Sequence, residues 1–152
     1  MATPTFDLLA QSTASSQTSM TISSIPSGYE TIYWVWTGYA INQQRYGFRI
    51  NGNTSTYPVQ IAGNNFQSAN GSTYNSTVTW QNQQEDGSYT EGYIHGSDTT
   101  TVKNVLMRWG SNSDRNFMSV TSVDVSTVSS LTVLSLDGST VSGLLRIYGL
   151  VG

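Results

Sequence analysis

The chain has 152 residues, enough for one domain with a proper hydrophobic core. Charged residues are only 10% of it, against ~25% in an average globular protein, and the formal net charge is −3. Its six basic residues (Arg45, Arg49, Lys103, Arg108, Arg115, Arg146) are scattered, so no basic cluster neutralises a row of phosphates and nucleic acid is not an expected partner. The absence of Cys excludes disulfides, thiolate metal sites and cysteine nucleophiles.

Polarity comes instead from Ser, Thr, Asn and Gln. Disordered chains are poor in aromatic and β-branched residues, whereas aromatics here are 11%, with four Trp and nine Tyr. The composition is that of a folded β protein. The first residues lack a basic stretch followed by an apolar one, so no secretory signal is expected, and no apolar run approaches the ~18–20 residues of a membrane span. The three N-x-[ST] sequons at Asn53, Asn70 and Asn75 are then chance matches.

In chain order, residues 1–17 are small and polar around one apolar knot, Phe6, Leu8 and Leu9, and read as an N-terminal arm preceding a single domain over 18–152. Such a segment is ordered only by pairing with the body of the domain or with a neighbouring subunit. Residues 21–25 form a short strand that stops at Pro26, and Pro26-Ser27-Gly28 is a turn signal. Residues 29–39 are the strongest strand, with Ile32, Trp34 and Trp36 on one face and Tyr33, Val35 and Thr37 on the other. Bulk on both faces suits a central strand, or one whose second face meets another subunit.

Residues 44–50 are a further strand, closed by Asn51-Gly52, a hairpin signal because both residues tolerate positive φ. Residues 57–62 return, with Pro58 placing them at an edge or a strand start. Residues 63–76 are a long polar loop, and 77–80 a short strand across which 89–95 could pair back. Residues 101–109 place Val105, Met107 and Trp109 on one face. Strands at 116–125 and 131–136, a turn at Asp137-Gly138 and a last strand at 143–151 complete the chain. With no 3.6-residue period and no internal repeat, the pattern predicts an all-β antiparallel sandwich, jelly-roll-like, with the C-terminal strand near the N-terminal one. Ile32, Trp34, Val105, Met107, Leu134 and Ile147 are its expected core.

Catalytic chemistry has little footing. The single His95 sits beside a Gly turn, and no Gly-x-Ser-x-Gly elbow accompanies it. Glu85, Asp86 and Glu91 could form a glycosidase-type carboxylate pair, but Asp86-Gly87 reads more simply as a hairpin tip. No Asp/Asn pattern matches a calcium loop and no Gly-rich phosphate cradle precedes a helix, so no catalytic residue, metal or cofactor is expected. Trp34, Trp36 and Trp109 sit mid-strand, where core and interface residues belong, although exposed aromatics can also stack on sugars.

Three short stretches carry a resemblance: Ser24-Ile25-Pro26-Ser27-Gly28-Tyr29, Phe48-Arg49-Ile50-Asn51-Gly52-Asn53 and Ile147-Tyr148-Gly149. Together they resemble a family of small all-β tailed-phage virion proteins. In this chain Ile25, Pro26 and Tyr29 match the family's start of a long strand, Arg49, Asn51 and Gly52 its turn, and Tyr148-Gly149 its final strand. Asn53 departs from a commonly acidic position, and Trp34 and Trp36 are bulkier than the usual aliphatics. The resemblance implies a non-enzymatic virion protein on the capsid surface or tail. It would act as a capsid decoration (cement) protein bound to the major capsid protein or another virion protein, or else as a tail-associated glycan-binding head. A homotrimer is expected because the aromatic strand exceeds the needs of one face. The expected partner-binding residues are Phe6, Leu8, Leu9, Tyr33 and Trp36, with Tyr57, Phe66 and Tyr74 as loop recognition residues.

Overall fold

The computed structural model describes residues 5–40, 46–54, 57–63, 73–74, 78–79, 89–99, 103–110, 115–123, 126–135 and 138–150, of which 57–63, 73–74, 78–79, 109–110 and 115–123 are described by their main chain. Among these residues twelve strands follow one another: β1 (Phe6–Gln17), β2 (Ser19–Ser23), β3 (Thr31–Ala40), β4 (Tyr46–Ile50), β5 (Tyr57–Gly63), β6 (Thr73–Tyr74), β7 (Val78–Thr79), β8 (Tyr89–His95), β9 (Lys103–Gly110), β10 (Arg115–Val123), β11 (Ser130–Ser135) and β12 (Val141–Leu150). No helix occurs among the described residues.

The strands form an eight-stranded sheet, β1-β12-β3-β8-β9-β10-β5-β6, and a four-stranded sheet, β2-β11-β4-β7. Every pairing is antiparallel. First and last elements nest, β1 with β12 in one sheet and β2 with β11 in the other, which gives the expected jelly-roll-like sandwich. From Phe6 onward the stretch read as an arm is the edge strand β1, paired along β12 of the same chain. Its polar composition does not prevent this, because main-chain hydrogen bonds order a strand that has little core of its own.

The core lies between the sheets. Ile32, Trp34, Val105, Met107, Leu134 and Ile147 are buried, as the alternation predicts. Trp34 packs on Phe48 with ring centroids 4.2 Å apart, and Trp36 on Tyr46 at 6.3 Å, so β3 and β4 interlock across the sandwich. The indoles fit because glycines make room. A Cβ on Gly92, the cross-strand partner of Trp34, would lie 2.6 Å from its ring, and one on Gly143 would lie 2.8 Å from the ring of Trp36. The buried Tyr46 hydroxyl is 2.7 Å from Thr90 Oγ1, joining the two sheets. Burial pushes this phenol up to about 12.

Two local expectations give way to tertiary structure. Asn51 and Gly52 do form a tight turn with φ of 51° and 64°, closed by Asn53 N–H donating to Ile50 C=O. Yet β4 and β5 do not pair as a hairpin: β4 stays in the small sheet, and β5 crosses to pair with β10 and β6. Likewise β8 pairs with β3 and β9 rather than with β7. A turn fixes the direction of the chain, whereas the apolar face of the next strand decides which sheet it joins.

Candidate functional site

The small number of charges on this chain makes the outer face of the larger sheet unusual. Successive side chains of a strand point to opposite faces, so the residues alternating with the Trp34 and Trp36 set on β3 face outward. Register then assembles them into transverse rows. Leu8 on β1 lies opposite Tyr148 on β12, which faces Tyr33 on β3, then Tyr93 on β8 and Leu106 on β9. Tyr33 is the hub. Its ring stacks on Tyr93 at 4.8 Å and 28°, meets Tyr148 at 5.7 Å, and is capped by Phe6 at 5.5 Å. His95 lies parallel to Tyr93 at 6.1 Å and bonds Thr31 Oγ1 at 3.1 Å.

The three tyrosines are half-buried, while Phe6, Leu8 and Leu106 at the two ends of the row are 50%, 54% and 47% exposed. Side chains of that size are rarely left half in water in a cluster unless something else covers them.

The next row runs Gln11, Arg146, Val35, Glu91 and Arg108. Glu91 is buried on this face because both its oxygens are engaged. Tyr33 donates its hydroxyl to Oε2 at 2.5 Å, and Arg108 donates Nε to Oε1. Burial first, then the Glu91 hydrogen bond and charge, raise the Tyr33 phenol well above its ordinary value, so it remains a protonated donor. The Glu91 hydrogen bond and charge raise the Arg108 guanidinium as well, although its side chain is 54% exposed. Flat ring faces beside a fixed ion pair can take up an apolar surface that carries polar groups at its rim.

Of the residues singled out from the sequence, Phe6, Leu8 and Tyr33 come together on this face. Leu9 is half-buried and packs against the core. Trp36 is a correction: it is 0% exposed between the sheets and offers nothing to a partner. Tyr57 and Tyr74 are paired with each other across β5 and β6, where the main chain alone is described, and Phe66 lies outside the described residues. Glu85 and Asp86 also lie outside them, so Glu91 is the described member of the possible carboxylate pair. Among the described residues no group of three His, Cys, Asp or Glu could hold a metal ion.

Sequence alone does not single out Tyr93, Leu106 or Arg108 as site residues, and it marks Tyr148 only as part of a motif. Each is an ordinary alternate position of its own strand, and only cross-strand register reveals the row. Other motif residues, by contrast, prove to be fasteners. The Asn51 side chain accepts from Ser129 N–H at 2.8 Å and Ser130 N–H at 3.1 Å and donates to Thr127 C=O at 2.9 Å, clasping the approach to β11. The Tyr29 ring lies against Gly149, where a Cβ would come within 2.2 Å of it, and Ser97 Oγ donates to the Tyr29 carbonyl. Ile25 is in the core.

No family model and no curated protein matches this sequence. Among solved structures, the fold is similar to part of an exo-inulinase from Aspergillus awamori, with a TM-score of 0.51 and 12% identity over 95% of this chain and 29% of that one. A toad ovary galectin in complex with thio-digalactose gives 0.42 and 7% identity over 88% and 99% of the two chains. Peanut lectin gives 0.38 and 9% identity over 99% and 92%. At these identities the likeness is one of fold alone.

Proposed function

We propose that this chain is a non-enzymatic structural subunit of a tailed-phage particle, and that it acts as a decoration protein docking its aromatic sheet face on the shell. One observation carries the reading: the row Leu8, Tyr148, Tyr33, Tyr93 and Leu106, with Phe6 over Tyr33, is too apolar at its ends to be a solvated face. The partner is the major capsid protein or another virion protein. The residues behind the family resemblance support a shared framework, since Ile25, Tyr29, Asn51 and Gly149 all hold the sandwich together.

A second reading, a tail-associated glycan-binding head, is favoured by the Arg108–Glu91 pair one row from the stacked tyrosines. Ring faces with hydrogen-bonding groups beside them suit a pyranose as well as a protein surface.

Co-sedimentation with particles lacking this subunit, run beside a glycan array, separates the two. The decoration reading expects attachment to the shell that Leu106→Ser with Tyr93→Ser abolishes, and a blank array. Glycan capture lost in the same variant, without shell attachment, establishes the second reading instead.

A further inference from the structure

The outermost strand of the larger sheet is β1, and among the described residues no strand pairs with its other side. An edge strand turns alternate N–H and C=O groups away from its sheet, a row that another extended chain can satisfy. Natural edges of this length are guarded by Lys, Pro or inward-pointing charges. The sequence of β1, FDLLAQSTASSQ, contains no Lys and no Pro, and its one charge is Asp7 near the end. Register shifts lie between Leu8 and Ala10 and between Ala14 and Gln17, and Ser16 has a φ of 51°. These irregularities blunt the two ends of the strand and leave the regular stretch 10–14 open.

We propose that β1 is a self-association edge. Two copies pair their β1 strands antiparallel about a two-fold axis near Ser12, joining two eight-stranded sheets into one. Charge selects the mode, and an edge almost without charge can accept a second copy of itself. Parallel pairing would set Asp7 against Asp7 of the second copy, whereas antiparallel pairing about Ser12 sets Asp7 against Gln17 and Gln11 against Thr13. A two-fold pairing uses the same free groups on both subunits and closes the edge, so the contact does not propagate. The join sets Leu8 of each copy against Ser16 of the other, so the two aromatic rows lie on the same face of the joined sheet, offset along the seam. The edge thereby favours a two-fold over the three-fold closure expected from the sequence, and it stands independently of the particle reading.

Sedimentation and light scattering of the full chain at tens of micromolar test this. The expected mass is twice 16.5 kDa. Gln11→Lys with Thr13→Lys should give a monomer with an unchanged far-UV circular dichroism spectrum, as should Gln11→Glu with Thr13→Glu, and mixing the two variants should restore the dimer. In the unsubstituted chain, amide exchange across 10–14 should slow as concentration rises. A monomer at every concentration, a trimer, a dimer indifferent to both charged pairs, or a failure of mixing to restore it overturns the proposal.

Discussion

The two faces of β3 present the same kind of residue under opposite constraints. Inward, Trp34 and Trp36 lie against glycines of neighbouring strands and rings of the opposite sheet, and neither is more than 1% exposed. Outward, Tyr33 heads a row of stacked rings whose flanks remain half in water. The inner aromatics are there to be enclosed, and the cost of moving them is high. The outer aromatics are arranged with nearly as much order, yet their enclosure is incomplete, and the contact proposed for this face rests on that incompleteness.

Truncation on the inner face should have the largest effect. Trp34→Ala leaves a large cavity and should cost about 3–5 kcal/mol of unfolding free energy in a denaturant titration. Gly92→Val should approach that figure without removing an atom, because the new side chain must displace the Trp34 indole. If Tyr93→Ala on the outer face proved as costly as Trp34→Ala, the contrast between the two faces would fail.

The clasp at Asn51 comes next. Asn51→Ala removes the acceptor of the Ser129 and Ser130 amides, which water can partly replace, and a loss of about 1–2 kcal/mol is expected by the same titration. Asn51→Asp, which keeps the acceptor, should recover part of it.

Alkaline pH probes the inner face by another route. The folded Tyr46 pKa of about 12 lies above its ordinary value of 10.0, so its neutral form is favoured by folding. That stability is complete below pH 10 and is lost as pH rises towards 12, a fall of about 2–3 kcal/mol at most. Tyr33 adds a change of the same sign. Thermal melts across this range should steepen their decline above pH 10, and Tyr46→Phe should flatten it.

The smallest effect on stability belongs to the outer flank. Leu106→Ser is expected to change unfolding free energy by less than about 1 kcal/mol, since nearly half the side chain is already in water. Attachment to a partner should suffer far more than folding does.

How much of this could be read from the sequence follows the range of the interactions. The inner face of β3, the core positions Val105 and Met107 and the turn at Asn51-Gly52 are local patterns of period two or of positive φ, and they stand where the residues indicate. The destination of β5 after that turn is not legible, because its pairing with β10 joins residues far apart in sequence. Nor was the tyrosine row: Tyr33, Tyr93 and Tyr148 are far apart in sequence, and nothing in any one strand signals that register will stack them. Trp36 shows the converse: its size and position in the sequence suggest an interface, whereas Gly38 and Gly143 make space for it between the sheets.

On the proposed function, the outer face of the eight-stranded sheet is the working surface. Electron cryomicroscopy of particles carrying this subunit tests it most directly, by locating the domain and the side it turns to its neighbour. The account predicts that Phe6, Leu8, Tyr33, Tyr93 and Leu106 lie under a contact with another virion protein. A domain that attaches through the opposite sheet, leaving that row facing solvent, would contradict it.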